Sequence, residues 1–420
     1  MNRRDFLATL PAVAVASHLS GAEAKLNIGP NDWPWWRGPT RDGVAPAQKI
    51  PLEWTATKNV VWEAPVPGRG HGSAIVVGDR VFLATADEKA ESQSVLCLDR
   101  KTGKQLWHSE VHKGNFIKAG LNAKATHASA TPACDGERVY INFPNDGAIR
   151  ATALDLDGKR VWQTKVAEYT LHQGYGSSPT VFGPLLLVTA DNKGEGKGLV
   201  AGLDRATGKI EWTRKRPKLP NYCSPIVVSV GGKNHLILTG CNLVTSLDPL
   251  TGKENWELKG ATEECVTSTV TDGKHVFTSG GYPRNHVAAV KLDGTGIAWD
   301  IKTRVYVPSM LIRDGFLYAV TDDGIAICWK SDTGAEQWNA RLGGTFTASP
   351  VLVGDTILAT NETGKTFVFK ANPKEYEALA ENQLGNEVFA TPTVCGGRVY
   401  LRVALRDKGA RAEKLFCVGT

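Results

Sequence analysis

Eight times along the chain a serine or threonine stands just ahead of an apolar run: Ser73, Thr131, Ser178, Ser224, Ser268, Ser309, Ser349 and Thr391. Proline follows directly at 132, 179, 225, 350 and 392. The spacings between these anchors are 58, 47, 46, 44, 41, 40 and 42 residues. A period of that length confines a chain to arrays and propellers, because each unit buries its apolar face only against its neighbours. Length alone, at 420 residues, would suggest two or three domains; the repeat overrides that expectation.

Each unit reads as four short strands. In the sixth, Ser309 to Ile312, Phe316 to Val320 and Ile325 to Lys330 are apolar runs separated by Arg-Asp-Gly and Thr-Asp-Asp-Gly turns, and a Thr-Gly-containing stretch opens the fourth. Strands of this length between Gly/Asp turns at even spacing predict an all-β, eight-bladed propeller of four-stranded antiparallel blades. A second phrase recurs within the units: LDRKTGKQLW (98–107), LDLDGKRVW (154–162), LDRATGKIEW (203–212) and LDPLTGKENW (247–256). Asp99 begins a turn, since its carboxylate can accept backbone N–H groups two residues on. Gly103 closes the turn with a positive φ that a Cβ would resist. Trp107 then falls at a fixed point of the outer strand, as do Trp162, Trp212, Trp256, Trp299 and Trp338, where a large ring can pack across the seam between blades.

The last unit ends on LFCVGT, which matches a third strand, so the eighth blade lacks its fourth. NVVWEAPV (59–66) matches the outer-strand phrase, with Trp62 in the tryptophan column. The N-terminal strand is therefore expected to close the ring, covering two sheet edges at once. Ahead of it, residues 25–58 form an arm. Its DWPWWRGPTRDGVAP stretch (32–46) reads as irregular chain on the propeller surface, with sugar or partner stacking as the other use of its three tryptophans.

Residues 1–24 read as a leader, with Arg3-Arg4-Asp5-Phe6-Leu7, a short apolar run and a small-x-small site at Ala22-Glu23-Ala24. The arginine pair favours twin-arginine export over the general route, placing the mature chain, from Lys25, in the periplasm or cell envelope. No later apolar run is long enough for a transmembrane segment. Net charge is +6 without a run of like charges, which argues against nucleic acid as a partner. The eight cysteines are scattered, and three of them (Cys97, Cys328, Cys417) share one repeat position, so they read as buried hydrophobes. No CxxC supports a metal site.

The TGK-x-x-W repeats with Ser-Pro before each inner strand resemble the pyrroloquinoline-quinone (PQQ) type repeat of eight-bladed quinoprotein dehydrogenases and of the propeller lipoprotein of the outer-membrane assembly machine. The WPWWRGP start resembles exported PQQ-like propellers of planctomycete type. The resemblance covers residues 31–420. It implies the fold firmly and function weakly. For a dehydrogenase it would further imply PQQ with calcium, adjacent bridged cysteines beneath the cofactor, Glu, Asn and Asp ligands, an Asp base and a tryptophan floor. No Cys-Cys pair exists here, and none of the other parts is assignable by motif. A G-x-S-x-G elbow for hydrolysis is also missing.

Loops joining each outer strand to the next inner strand gather at one mouth of such a channel. They carry Arg69, His71, His127, His172, Tyr175, Tyr222, Glu263, Glu264, Arg304, Tyr306, Phe346, Glu387 and Phe389. Histidines, carboxylates, arginines and rings in one column suit acid–base work or a flat anionic ligand, although any channel mouth is polar. The ligand-binding candidates are Arg69, His71, His127, His172, Tyr175, Tyr222, Glu264, Arg304, Tyr306 and Glu387. The loop after Trp107 is longer than its equivalents and brings His112, Lys113, Phe116, Lys118 and Lys124 to the same face, either as a basic flap or as a tolerated insertion. Lys193, Lys197 and Arg284 add positive charge there. The sequence thus favours a binding or scaffold propeller for a small anionic ligand or an exported protein partner, with a divergent PQQ-dependent oxidoreductase as the alternative.

Overall fold

The computed structural model describes residues 26–194 and 198–420. The leader, its cleavage point before Lys25, and Lys197 lie outside the described residues. Eight sheets surround a central channel, each running from an inner to an outer strand by antiparallel neighbours. The sixth shows the pattern: Leu311–Arg313, Phe316–Val320, Ile325–Lys330 and Glu336–Arg341. The eighth is built from both ends of the chain. Thr393–Cys395, Arg398–Asp407 and Ala410–Val418 are completed by Val60–Val66, which pairs antiparallel with the last strand and sets Trp62 opposite Cys417. No helix of the described residues is long and apolar enough to cross a membrane.

Two repeated contacts join the blades. At the rim, Asp99 Oδ1 accepts the N–H groups of Lys101 and Thr102, and Gly103 lies flat on the indole of Trp62 from the preceding blade. A Cβ at Gly103 would come within 2.5 Å of that ring, and its φ of +71° is already in the glycine region. The indole N–H of Trp62 donates to the carbonyl of Arg100 at 3.0 Å; Trp107, Trp162, Trp256, Trp299 and Trp338 make the equivalent bond to their next blade. Trp162 is buried, whereas Trp256 is only half-buried.

Around the channel the second contact explains the hydroxyl column. The backbone N–H of Ser73 donates to Thr131 Oγ1, Thr131 to Ser178, Ser178 to Ser224, Ser268 to Ser309, Ser309 to Ser349, and Ser349 to Thr391, each at 2.9 Å. Six of the eight anchor hydroxyls thus each satisfy a buried N–H of the adjoining blade, a donor that would otherwise be costly to bury. The ring has two gaps. Ser268 Oγ accepts the indole N–H of Trp36 instead, at 2.8 Å, and Ser73 Oγ has no partner.

Trp36 belongs to the arm, whose path differs from the surface course expected. Trp33 pairs with Val76, Pro34 accepts from Cys134, Arg37 donates to the carbonyls of Met310 and Pro350, and Arg41 donates to Val181. Val44–Ala45 then adds to inner strand Val351–Val353 as a short parallel strand. These partners lie on or beside inner strands of blades one, two, three, six and seven. The arm therefore crosses the base of the channel and stops it, burying Trp33 and Trp35 where a surface arm would have exposed them. The eight cysteines are all free and buried.

Candidate functional site

The antiparallel order within a blade brings two sets of connections to one mouth: those from outer strand to next inner strand, and the turns between second and third strands. Together they enclose a cavity of about 690 Å³. His71, His172, Tyr175, Tyr222, Glu264, Arg304 and Tyr306 all line it, with Phe346 and Phe389. Side chains far apart in sequence meet because each repeat delivers its pre-anchor residues to the axis.

On one wall, Tyr306 Oη donates to Glu264 Oε2 at 2.9 Å, and His172 Nδ1 lies 2.9 Å from Tyr222 Oη and 3.6 Å from Glu264 Oε1. Burial, with Glu264 nearby, pushes the phenols of Tyr222 and Tyr306 above the usual range, so both remain hydroxyls. Arg304 sits over the Tyr306 ring at 5.0 Å and donates to the Gly281 carbonyl at 3.0 Å. Gly281 leaves room for this pair: a Cβ there would fall 2.6 Å from Tyr306 Cβ. On the opposite wall, His71 stacks on Phe389 with centroids 4.3 Å apart. Burial, then Arg69, Arg402 and Arg411, hold its imidazole well below the ordinary value, hence neutral, and its Nε2 is buried without a partner. Tyr175 presents its ring; its hydroxyl is spent on the carbonyl of Thr189 at 2.9 Å.

Arg69, His127 and Glu387 lie outside this lining. Arg69 pairs by backbone with Ala86 and donates to the Lys124 carbonyl. His127 is turned beneath the long loop, with Nδ1 2.9 Å from Glu88, Nε2 3.2 Å from the Ile117 carbonyl and its ring stacked on Phe116. Burial works most strongly against the Glu88 carboxylate, but the His127 bonds and the charges of His127 and Arg69 together outweigh it and hold its carboxyl below the usual range. Glu387 is clamped by Arg406 and Arg411, which hold its carboxyl below the usual range despite partial burial. Glu263 contributes its carbonyl to the Cys241 N–H and also lies outside the lining.

The long loop is a strap. Asn122 bonds Gln173 through backbone and side chain, and Gln173 N–H donates to the Gly120 carbonyl. Lys124 then reaches across the mouth to Glu362 on blade seven, at 2.8 Å. Of the loop residues singled out, Lys124 alone lines the cavity; His112 is buried, Lys113 and Lys118 pair with Glu110 and Glu91, and Arg284 pairs with Asp300. Sequence reasoning missed Asp322 and Glu362, because both stand on turns between second and third strands rather than on the loops ahead of the anchors. Asp322 accepts the Tyr306 N–H at 2.7 Å, and burial raises its carboxyl above the ordinary value against the pull of that bond and of Arg304. The Thr-Asp-Asp-Gly turn was the available signal.

A quinone held with a divalent cation does not fit this lining. Among the described residues no three His, Cys, Asp or Glu side chains converge as metal ligands. Glu264 and Asp322 are each engaged by Tyr306. Trp36 provides a floor, but from the arm.

An eight-bladed ring with one sealed end and one polar mouth defines an eight-bladed β-propeller with a funnel at one face. The family model described as outer membrane protein assembly factor BamB matches residues 52–170 and 91–340, and the chain belongs to that family. It is 26% identical to outer membrane protein assembly factor BamB of Yersinia pestis over 383 residues, covering 86% of this chain and 89% of the relative. It is also 28% identical to a polyvinylalcohol dehydrogenase of a Pseudomonas species, over 47% of this chain and 33% of that enzyme. Among solved structures, a europium-containing methanol dehydrogenase superposes with a TM-score of 0.68 at 12% identity, covering 94% of this chain and 99% of the other. BamB from Moraxella catarrhalis gives 0.59 at 13%, covering 85% and 96%. At such identities the structures establish the fold.

Proposed function

We propose that this chain is an exported binding module that takes a ligand into the funnel, and that it does not work as a quinone-dependent dehydrogenase. The observation that carries this reading is the state of the polar groups on the wall. Glu264, Asp322 and Glu362 each already hold a protein partner. Arg304 has no ion-pair partner among the described residues, and it faces the cavity beside rings suited to stacking. Such a lining orients a bound molecule, with each wall carboxylate already bonded to a protein donor and the Arg304 guanidinium left to pair with an anion. Export to the periplasm or envelope is supported by the leader-like start and by relatives named as outer membrane assembly factors. Those same names support a protein partner.

The test is a thermal-shift screen of small molecules on wild type and Arg304→Glu. Ligands of the funnel stabilise the wild type and lose that effect in the variant, whose own melting is unchanged because Arg304 is exposed. In parallel the protein is incubated with pyrroloquinoline quinone and calcium and assayed for dye-linked alcohol oxidation. Turnover that disappears on chelation overturns the reading in favour of the dehydrogenase, for which the polyvinylalcohol dehydrogenase match is the supporting observation.

A further inference from the structure

Below the funnel the channel continues into a second chamber of about 180 Å³, floored by Trp36. His71, Tyr222 and Phe389 line both spaces, so the two are continuous. The chamber wall carries five anchor hydroxyls: Thr131, Ser178, Ser224, Ser349 and Thr391. Each of the five accepts a backbone N–H from the adjoining blade. A hydroxyl has one proton to give and two lone pairs, so each keeps its proton and one lone pair. None of the five donates to an acceptor among the described residues. The N–H bond on each oxygen also polarises its O–H, which makes it a better donor.

Charge points the same way. No carboxylate lines the chamber. Next to Trp36 in the arm, the Arg37 guanidinium, 1% exposed, bonds the carbonyls of Met310, Pro350 and Asp42. Met310 and Pro350 immediately follow the anchors Ser309 and Ser349. Arg37 makes no ion pair among the described residues, and its Nε has no partner. The nearest carboxylate, Asp42, is turned to Thr40 and the Val44 N–H. Arg41 beside it donates to Val181 and likewise makes no ion pair there. A buried cation bonded to carbonyls and offset in part by the Asp42 carboxylate keeps positive charge, and in a low-dielectric channel that charge acts over several ångströms. A cation in the chamber would be repelled, while an anion would meet converging O–H donors.

We propose that this chamber is an anion site, taking a carboxylate, phosphate or sulfate group either as a free ion or as the terminal group of a longer molecule whose body fills the funnel. The second form extends the binding reading above; the first stands apart from it. Inorganic phosphate and phenyl phosphate distinguish the two sources. Each is titrated into the protein by calorimetry at low ionic strength, where screening is least, and wild-type crystals are soaked in selenate. An anomalous selenium peak between Trp36 and the hydroxyl ring is the expected result. Phenyl phosphate binding at least tenfold tighter than phosphate assigns the site to a ligand's terminal group, and equal affinities assign it to the free ion. Ser178→Ala and Ser349→Ala each remove one donor and weaken binding severalfold. Should these variants melt early, the wild-type selenate map decides alone. A chamber holding only water in that map overturns the proposal. If funnel ligands still distinguish wild type from Arg304→Glu in that case, the binding reading survives it.

Discussion

Thr131→Val isolates the inter-blade hydroxyl contact. Valine keeps the shape of threonine but cannot accept, so the Ser73 N–H, buried and now 2.9 Å from a methyl group, loses its partner. Leaving a buried donor unsatisfied costs about 1–3 kcal/mol. A unit of this size unfolding together has an unfolding entropy of roughly 0.8 kcal/mol/K, taking about 2.1 cal/mol/K per residue. The melting temperature should therefore fall by about 1–4 °C. Ser73→Ala is the matched control. The Ser73 hydroxyl is equally buried but has no partner, and its N–H still reaches Thr131. That variant should melt within about 1 °C of wild type, since removing an unpaired hydroxyl relieves a desolvated group. Scanning calorimetry in phosphate-free buffer reads both. Equal losses in the two variants, or no loss in Thr131→Val, would refute the claim that the N–H bond is what the hydroxyl column contributes.

Trp162→Ala should destabilise by about 3–5 kcal/mol, as expected for removing a buried ring. Trp256→Ala should cost clearly less because that ring is half-exposed; urea titrations with equal m-values check the ordering. Acid should destabilise the fold early. Burial holds His112 and His286 at about 4, whereas the unfolded chain takes up these protons near 6.5. Their contribution is present above pH 6.5 and is lost as pH falls toward 4, by about 3 kcal/mol each at the lower limit. Stability flat between pH 6.5 and 4.5 would contradict this. Lys124→Ala should leave melting nearly unchanged, since an exposed pair contributes about 0–1 kcal/mol, but should accelerate hydrogen exchange at residues 118–126. Unchanged exchange would show that the Glu362 contact does not hold the strap.

Much of the architecture was legible in the chain because a repeat forces the same local choices eight times. The Ser/Thr column, the Asp and Gly of each turn and the tryptophan two-thirds of the way round each unit gave blade number, strand order and the closing strand at 59–66. Periodicity also placed His71, His172, Tyr175, Tyr222, Glu264, Arg304 and Tyr306 in one column, and these side chains line one cavity. What the sequence could not carry was depth and direction. His127 and Glu387 occupy the same column, yet Glu88 from a neighbouring turn, and Arg406 and Arg411 from the last two strands, draw their side chains away from the axis. Asp322 and Glu362 enter the wall from the other set of turns, which only antiparallel stacking brings to the same mouth. The arm shows the difference most plainly. Its tryptophans and arginines marked it as unusual, but nothing local states where an irregular segment goes. The closed ring decides that, because its channel offers carbonyls at Val181, Met310 and Pro350 to the arginines, apolar surface to Trp33 and Trp35, and the Ser268 hydroxyl to Trp36.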